Sequence, residues 1–387
     1  MNSTDKIRVA VLYGGRSGEH EISLLSATNV IKGLDRTMFD VLPIGIDKQG
    51  SWFLGDDLFN KELNESEVLR LQCGDDRMLF DPELIVQSKP FQKNLSILAN
   101  SDISRQKLFD VIFPVIHGPM CEDGTVQGLL ELVEVPYVGC GVLSSSINMD
   151  KDISKRLAKS AGINTPQYLV IKCGMWDKDP DNFCEKVDTT LNFPVFVKPV
   201  NTGSSVGIHK VKTKNDLVNA INDAFNYDTK VIVEQGLDIL EIEVAVLESL
   251  DPSEEPLVSM PGEVKPSSDH DFYSYDSKYK DENGAELVIP ANIPQNIQDQ
   301  VRDVAKNIFK VLECEGMARV DLFLERKTNK IYFNEVNTIP GFTKISMYPK
   351  LMEASGVEYS KLLTHLIMLA MQKHTKKEKL SREYVEA

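Results

Sequence analysis

Two short segments carry side chains that could do chemistry together: Ala318-Arg319-Val320-Asp321 and Phe333-Asn334-Glu335-Val336-Asn337. Strand side chains alternate between faces, so Arg319 shares a face with Asp321, and Glu335 with Asn337. If the connection is the three-residue loop Lys327–Asn329, Asp321 stands opposite Glu335 and Arg319 opposite Asn337. Two carboxylates, an amide oxygen and a guanidinium would then meet on one patch. Mg2+ typically takes one or two carboxylates plus substrate phosphates. An arginine suits a phosphate or a developing oxyanion. The competing reading is a solvent-facing strand whose charge pairs contribute little. Either way, the apolar Val320, Leu322, Phe333 and Val336 are assigned to the opposite face.

Lys198-Pro199 is followed by Asn201-Thr202-Gly203-Ser204-Ser205-Val206-Gly207. A Gly/Ser loop between strands can press backbone N–H groups against phosphate oxygens, with the lysine as a point charge. No GK[ST] closes the loop, so it is not a Walker A sequence. An ordinary hairpin with a polar tip fits equally well. Gly14–Gly18 with His20-Glu21 forms a glycine turn into a helix. Acidic residues in a first turn are favoured by the helix dipole, so Glu21 reads as capping or, functionally, as a holder of a substrate ammonium. Phe272-Tyr273-Ser274-Tyr275-Asp276-Ser277-Lys278-Tyr279 lies in a long loop that could cover a site and exclude water. His117 ends a strand and is ambiguous. No Ser-His-Asp order, zinc spacing or HExxH is visible.

The elements that must position these groups follow from periodicity. Ile7–Tyr13 is a strand, Gly14–Gly18 a turn, and the apolar residues from Ile22 to Leu34 recur at helical spacing. That opens an α/β domain. Further strands are predicted at Val41–Ile46, Asp110–Ile116, Tyr168–Ile171, Phe193–Pro199, Ile208–Val211, Val231–Glu234, Glu241–Leu247, Gly316–Glu325 and Lys330–Val336. Helices are predicted at Asp150–Ala161, Lys214–Asn226, Gln295–Leu312 and Tyr359–Lys373, with a frayed tail from His374. The divisions are 1–143 for an N-terminal α/β substrate-binding domain, 144–236 for a central unit and 237–387 for a C-terminal unit. The last contains a long irregular lid loop at about 252–284.

The chain has 387 residues, 42% hydrophobic and 26% charged, the balance of a globular protein of two or three domains. A net charge of −15 argues against a nucleic-acid surface. No run of 18 apolar residues appears, so no membrane partner is expected. The polar N-terminus does not read as a signal peptide. Six scattered cysteines without a CxxC pair read as reduced thiols of a cytoplasmic protein.

Together these segments resemble the D-alanine–D-alanine ligases of the ATP-grasp superfamily, from about Arg8 to Val357. The likeness is carried by GGRSGEHEISLLSA (14–27), HGPMCEDGTVQGLLE (117–131), MDKDISK (149–155), FVKPVNTGSSVGI (196–208), FYSYDSKY (272–279), ARVDLF (318–323) and FNEVNTIPGFTKISMYPKL (333–351). The resemblance implies a fold of mixed α/β and α+β class: an ATP-grasp body behind an N-terminal Rossmann-like domain. It implies ATP as co-substrate, two Mg2+ or Mn2+ ions, D-alanine as substrate and a homodimer. Lys151, Lys198, Ser205, Glu234, Leu237, Glu241 and Lys278 would hold ATP. Asp321, Glu335 and Asn337 would bind metal. Glu21 would take the ammonium of the first D-alanine, with His117 nearby. Arg319 and the Gly341 N–H would hold the reacting carboxylate oxygen, and Ser346 the second D-alanine. Ser204 and Tyr279 would link to Glu21 across the lid. Related depsipeptide ligases carry His or Phe at the Tyr279 position, so the resemblance implies an amine rather than a hydroxyl acceptor. One departure stands out: Met120-Cys121 replaces the usual x-Gly, which puts a cysteine where positive φ could be required. The alternatives are a D-alanine–D-lactate ligase and an ATP-binding regulator without catalysis.

Overall fold

A computed structural model describes residues 6–54, 69, 78–80, 109–267 and 284–381. The N-terminal unit begins with strand β1 (Ile7–Gly14) and helix His20–Gly33, followed by β2 (Phe39–Ile46), β3 (Trp52–Leu54), β4 (Met78–Phe80) and β5 (Val111–Pro114). Its sheet runs β4-β3-β2-β1-β5, with β2 and β5 parallel to β1 and β3 antiparallel to both of its neighbours, β2 and β4. β1 is apolar on both faces, as expected of a parallel strand covered on both sides. Val9, Val11 and Tyr13 enter one core, and Ala10 and Leu12 enter another.

Helices Thr125–Leu132, Val142–Met149 and Lys151–Ser160 lead into the second unit. Asp150 caps the third of these: its carboxylate accepts from the N–H groups of Asp152 and Ile153 at 3.0 and 2.9 Å. The second sheet consists of β6 (Tyr168–Lys172), β7 (Val195–Pro199), β8 (His209–Val211) and β9 (Lys230–Gln235), antiparallel in the order β6-β9-β7-β8. Helices Pro180–Thr190 and Leu217–Ala224 cover one face through Phe183, Val187, Leu217 and Ile221. The residues predicted helical at 214–216 form a 3₁₀ turn instead.

The third sheet contains β10 (Ile239–Leu247), β11 (Leu257–Val258), β12 (Gly262–Pro266), β13 (Ala285–Val288), β14 (Met317–Glu325) and β15 (Ile331–Asn337). Its first face packs on helix Gln295–Val311, whose buried Ile297, Val301, Ala305 and Ile308 recur at spacings of three and four. β11 and β12 fall inside the segment read as an irregular lid, and both pair with β10. The sequence there is rich in Pro, Ser and Glu, which hides strand character. Helices Met347–Ala354 and Tyr359–Glu378 close the chain. The last runs past the boundary expected near Lys373 and packs Leu363, Leu366 and Ile367 into the core of the N-terminal unit. No helix among the described residues is long and apolar enough to cross a membrane.

Candidate active site

The second and third sheets turn polar faces toward each other. On β9, Val231 and Val233 are core residues, so Ile232 and Glu234 lie on the other face. On β7 the pairs Phe196↔Glu234 and Lys198↔Ile232 put Phe196 and Lys198 there too. In the third sheet Ile242, Val244, Val320 and Leu322 are core, which leaves Glu241, Glu243, Arg319 and Asp321 for the cleft. The cleft between them has a volume of about 810 Å³ and includes Lys198, Ser205, Glu234, Leu237 and Glu241 in its lining.

Cations and carboxylates alternate within it. Lys198 Nζ and Lys155 Nζ lie 2.8 and 2.7 Å from the two oxygens of Glu234. Burial pushes the Glu234 carboxyl up, but the two lysine charges outweigh it and hold the group at about 2. Burial pulls Lys155 below its usual value despite Glu234. Lys198 Nζ also sits 5.7 and 5.9 Å from the ring centroids of Phe196 and Phe323, within cation–π range. Lys151 Nζ reaches Glu335 Oε2 at 3.1 Å and donates to the Thr202 carbonyl at 2.7 Å. Lys155 has no place in the sequence-based set. It lies one turn after Lys151 on the same helix face, and that i, i+4 spacing is the signal that could have found it.

The β14–β15 hairpin has the register expected at its functional end: Arg319↔Asn337 and Asp321↔Glu335. It arrives there differently. Glu325 N–H bonds to the Lys330 carbonyl, so the turn holds four residues, 326–329, not three. A bulge at Asn334 then absorbs one residue and restores the pairing. The same bulge puts Phe333 on the buried face with Val336, although its number has the parity of Glu335. Asp321 accepts from Arg319 Nε and Nη2 at 2.8 Å each and from Asn337 Nδ2 at 3.0 Å. Arg319 Nε is also 3.0 Å from Glu243 Oε2. Among the described residues no three His, Cys, Asp or Glu side chains converge on one point. Two carboxylates and an amide oxygen, already drawing Arg319 and Lys151, nevertheless form a hard-oxygen set that fits a divalent cation completed by phosphate oxygens.

The N-terminal unit meets this cleft through a glutamate, but not the one expected. Glu21 is turned outward, 71% exposed, and pairs with Lys48 at 3.1 Å. Two residues along a helix rotate a side chain by about 200°, and Glu19, at the helix N-cap, faces inward and is 9% exposed. Its carboxylate accepts a short hydrogen bond from Ser204 Oγ. A Cβ at Gly118 would meet Glu19 Oε2 at 2.7 Å, and one at Gly203 at 3.2 Å. Glycine at both positions lets two loops close on that carboxylate. Ser204 and Ser205 both have positive φ, 50° and 59°, a conformation that turns successive N–H groups toward a common side.

His117 is buried, with Nδ1 donating to the Ile339 carbonyl and Nε2 at Ser26 Oγ, both 3.1 Å. Burial alone would lower its pKa, but the carboxylate of Glu122, 3.7 Å away, raises it. Ser26 Oγ also accepts from Phe342 N–H at 3.3 Å. His117 and Ser26 thus tie the loop after β15 to the N-terminal unit. In that loop a Cβ at Gly341 would meet Ser346 Oγ at 2.7 Å, so Gly341 and Ser346 are neighbours. Ser346 Oγ accepts from Thr343 N–H at 3.0 Å. Cys121 does not need positive φ; Met120 takes it, at 68°, and Cys121 is buried near Gly15. Lys278 and Tyr279 lie outside the described residues.

Two opposed antiparallel sheets, gripping a cleft of strand-borne lysines and carboxylates behind an α/β domain, define the ATP-grasp class of ligases. Models of the D-ala D-ala ligase N-terminus and C-terminus match residues 8–140 and 157–368. The D-alanine--D-alanine ligase A of Bradyrhizobium diazoefficiens is 50% identical over 380 residues, covering 98% of this chain and 99% of that protein. The D-alanine--D-alanine ligase of Caldicellulosiruptor bescii is 47% identical over 375 residues, 97% and 98% of the two chains. Among solved structures, the VanG D-Ala:D-Ser ligase of Enterococcus faecalis has a TM-score of 0.75 at 35% identity, covering 95% of this chain and all of its own. The D-alanine-D-alanine ligase of Coxiella burnetii has 0.74 at 33%, covering 97% of each. The chain belongs to the D-alanine–D-alanine ligase family.

Proposed function

We propose that this ADP-forming ligase joins two D-alanine molecules into D-alanyl-D-alanine for peptidoglycan synthesis, through a D-alanyl phosphate. The observation that carries the reading is the Glu19–Ser204 contact, which brings the N-terminal unit against the loop that follows Lys198. A substrate ammonium held there lies between an α/β domain and a phosphate-binding cleft, where an amino acid would have to sit to be phosphorylated.

Carboxylate is a poor acyl donor because its leaving group is oxide, so phosphorylation comes first. Lys151, Lys198, Ser205 and, from outside the described residues, Lys278 hold the phosphates, with Leu237 and Glu241 at the nucleoside end. Lys155 and Glu234 fix the position of Lys198. Asp321, Glu335 and Asn337 would hold a divalent ion, which would supply positive charge to the phosphates when bound. Glu19 replaces Glu21 as the group for the first D-alanine ammonium, with His117 orienting the loop of Gly341. The second D-alanine, its carboxylate at Ser346, attacks with its free amine. Arg319 and the Gly341 N–H stabilise the tetrahedral oxyanion. Tyr279 brings no charge that would repel an incoming ammonium. The proposal includes two ions, Mg2+ or Mn2+, a homodimer, a cytoplasmic location, and functional divisions near residues 144 and 237. One sheet in each interval supports those divisions.

The test is phosphate release from ATP with D-alanine alone, L-alanine, or D-alanine with D-lactate or D-serine, products being identified by mass. Release with D-alanine alone, giving the dipeptide at neutral pH, is expected. A dominant depsipeptide or D-alanyl-D-serine product would overturn the acceptor assignment. ATP binding without release in any mixture would overturn catalysis.

A further inference from the structure

Two buried thiols meet where the N-terminal unit joins the ATP-binding body. Cys140 ends the connection from the first sheet, and Cys314 lies just before β14. Each thiol is the foremost influence on the acidity of the other. Cys140 Sγ also touches the residue after Cys314, lying 3.4 Å from both the nitrogen and the oxygen of Glu315. Asn148 Nδ2 reaches Cys314 Sγ at 3.6 Å. The two backbones are already at close approach: a Cβ at Gly316 would meet Gly139 Cα at 3.3 Å. Cys140 is 2% exposed and Cys314 8%. Cys314 borders a crevice of about 610 Å³ that also includes Gly141, Ser144 and Glu315. The crevice brings a small neutral oxidant to Cys314 and to Gly141, the residue after Cys140.

We propose that Cys140 and Cys314 form a redox-active pair that a hydroperoxide closes into a disulfide, fastening the N-terminal unit to the base of the strand that carries Arg319 and Asp321. The two thiols have different roles. Contact with the Cys314 thiol lowers the Cys140 pKa, whereas contact with Cys140, with burial, raises that of Cys314. Cys140, whose sulfur accepts the Glu315 N–H at 3.4 Å, is the thiolate that attacks the peroxide. Its sulfur bonds to one oxygen, the O–O bond breaks, and the departing hydroxide takes the Cys314 proton to leave as water. The Cys314 thiolate then attacks the Cys140 sulfenic acid, and its hydroxide leaves and is protonated to a second water. Two thiols lose two electrons, and hydrogen peroxide is reduced to two waters. Disulfide sulfurs lie about 2.05 Å apart, so the sulfurs must draw together. The Gly139–Gly316 contact leaves little backbone movement to make.

The experiment treats the full-length reduced protein with hydrogen peroxide, blocks remaining thiols, and maps the digest with and without reductant. Expected are a mass loss of 2 Da, a reductant-sensitive peptide pair joining Cys140 to Cys314, a thermal midpoint raised by several degrees, and a ligation rate within about twofold of the reduced enzyme. Cys121→Ala should still form the bond, and Cys140→Ala should not. If Cys140→Ala fails to fold, the peptide map of the wild-type chain decides alone. No cross-linked pair, a pair involving another cysteine, or sulfinic acid at either residue would overturn the proposal. So would an oxidised enzyme that has lost its activity, because the bond would then distort the site it is inferred to brace.

Discussion

Replacing Glu19 by Gln, beside the same change at Glu21, separates two carboxylates that sit two residues apart in the sequence. Glu19 is nearly buried, accepts from Ser204 and is enclosed by the loops of Gly118 and Gly203. The amide keeps the size and an acceptor for Ser204 but removes the charge that would pair with a substrate ammonium. A hydrogen bond to a charged group contributes roughly 1.5–3 kcal/mol. At about 1.4 kcal/mol per tenfold, Glu19→Gln should lower kcat/KM for D-alanine by about 10- to 150-fold. Glu21 is 71% exposed, and its partner Lys48 61%. Such a pair contributes about 0–1 kcal/mol to stability and nothing to the reaction, so Glu21→Gln should leave kcat/KM within twofold. The assay is steady-state phosphate release at saturating ATP, with urea midpoints to confirm that both variants fold. A larger kinetic loss at Glu21 than at Glu19 would refute the reasoning.

Glu234→Gln should reduce stability by about 3 kcal/mol at pH 7. The carboxyl is held at about 2 against an ordinary 4.5, and each tenfold change in proton affinity between the folded and unfolded chain corresponds to about 1.4 kcal/mol. The folded value is the lower one, so this contribution is complete above the unfolded pKa and is lost as pH falls through about 4.5 toward 2. Urea unfolding of both proteins should show a gap that narrows over that range, and a pH-independent gap would contradict the assignment. Arg319→Lys keeps a charge but loses the two-pronged contact with Asp321. Turnover should fall by about 10²–10³ while ATP affinity changes less than threefold by titration; equal loss of both would remove Arg319 from the oxyanion role.

The fold was legible wherever periodicity was strong. β1 and the helix after it, the amphipathic helix Gln295–Val311 and the polar hairpin all stand close to where their patterns put them. The hairpin shows how a correct site can come from incomplete reasoning. A turn one residue longer than expected would have broken the register, and the bulge at Asn334 compensates. Turn length and bulge both depend on local backbone energetics that alternation does not report. β11 and β12 were missed because their residues look like loop, and what makes them strands is pairing to β10. The Glu19/Glu21 exchange has a similar origin. Both residues suit a helix N-terminus, and only the rotation of the helix against the loop of Gly118 and the loop of Gly203 decides which one faces the cleft.

The helix Lys151–Ser160 has a further consequence. Its two lysines are a pin with two prongs, and each prong touches both walls of the cleft. Lys151 spans Glu335 on β15 and the Thr202 carbonyl after β7, and Lys155 spans Glu234 on β9 and the Phe333 carbonyl on β15. Swinging the walls apart must unfasten both prongs in one motion. Opening of the cleft is therefore tied to a single helical turn, and the anchor of that turn is Asp150, which also grips Lys230 at 2.6 Å.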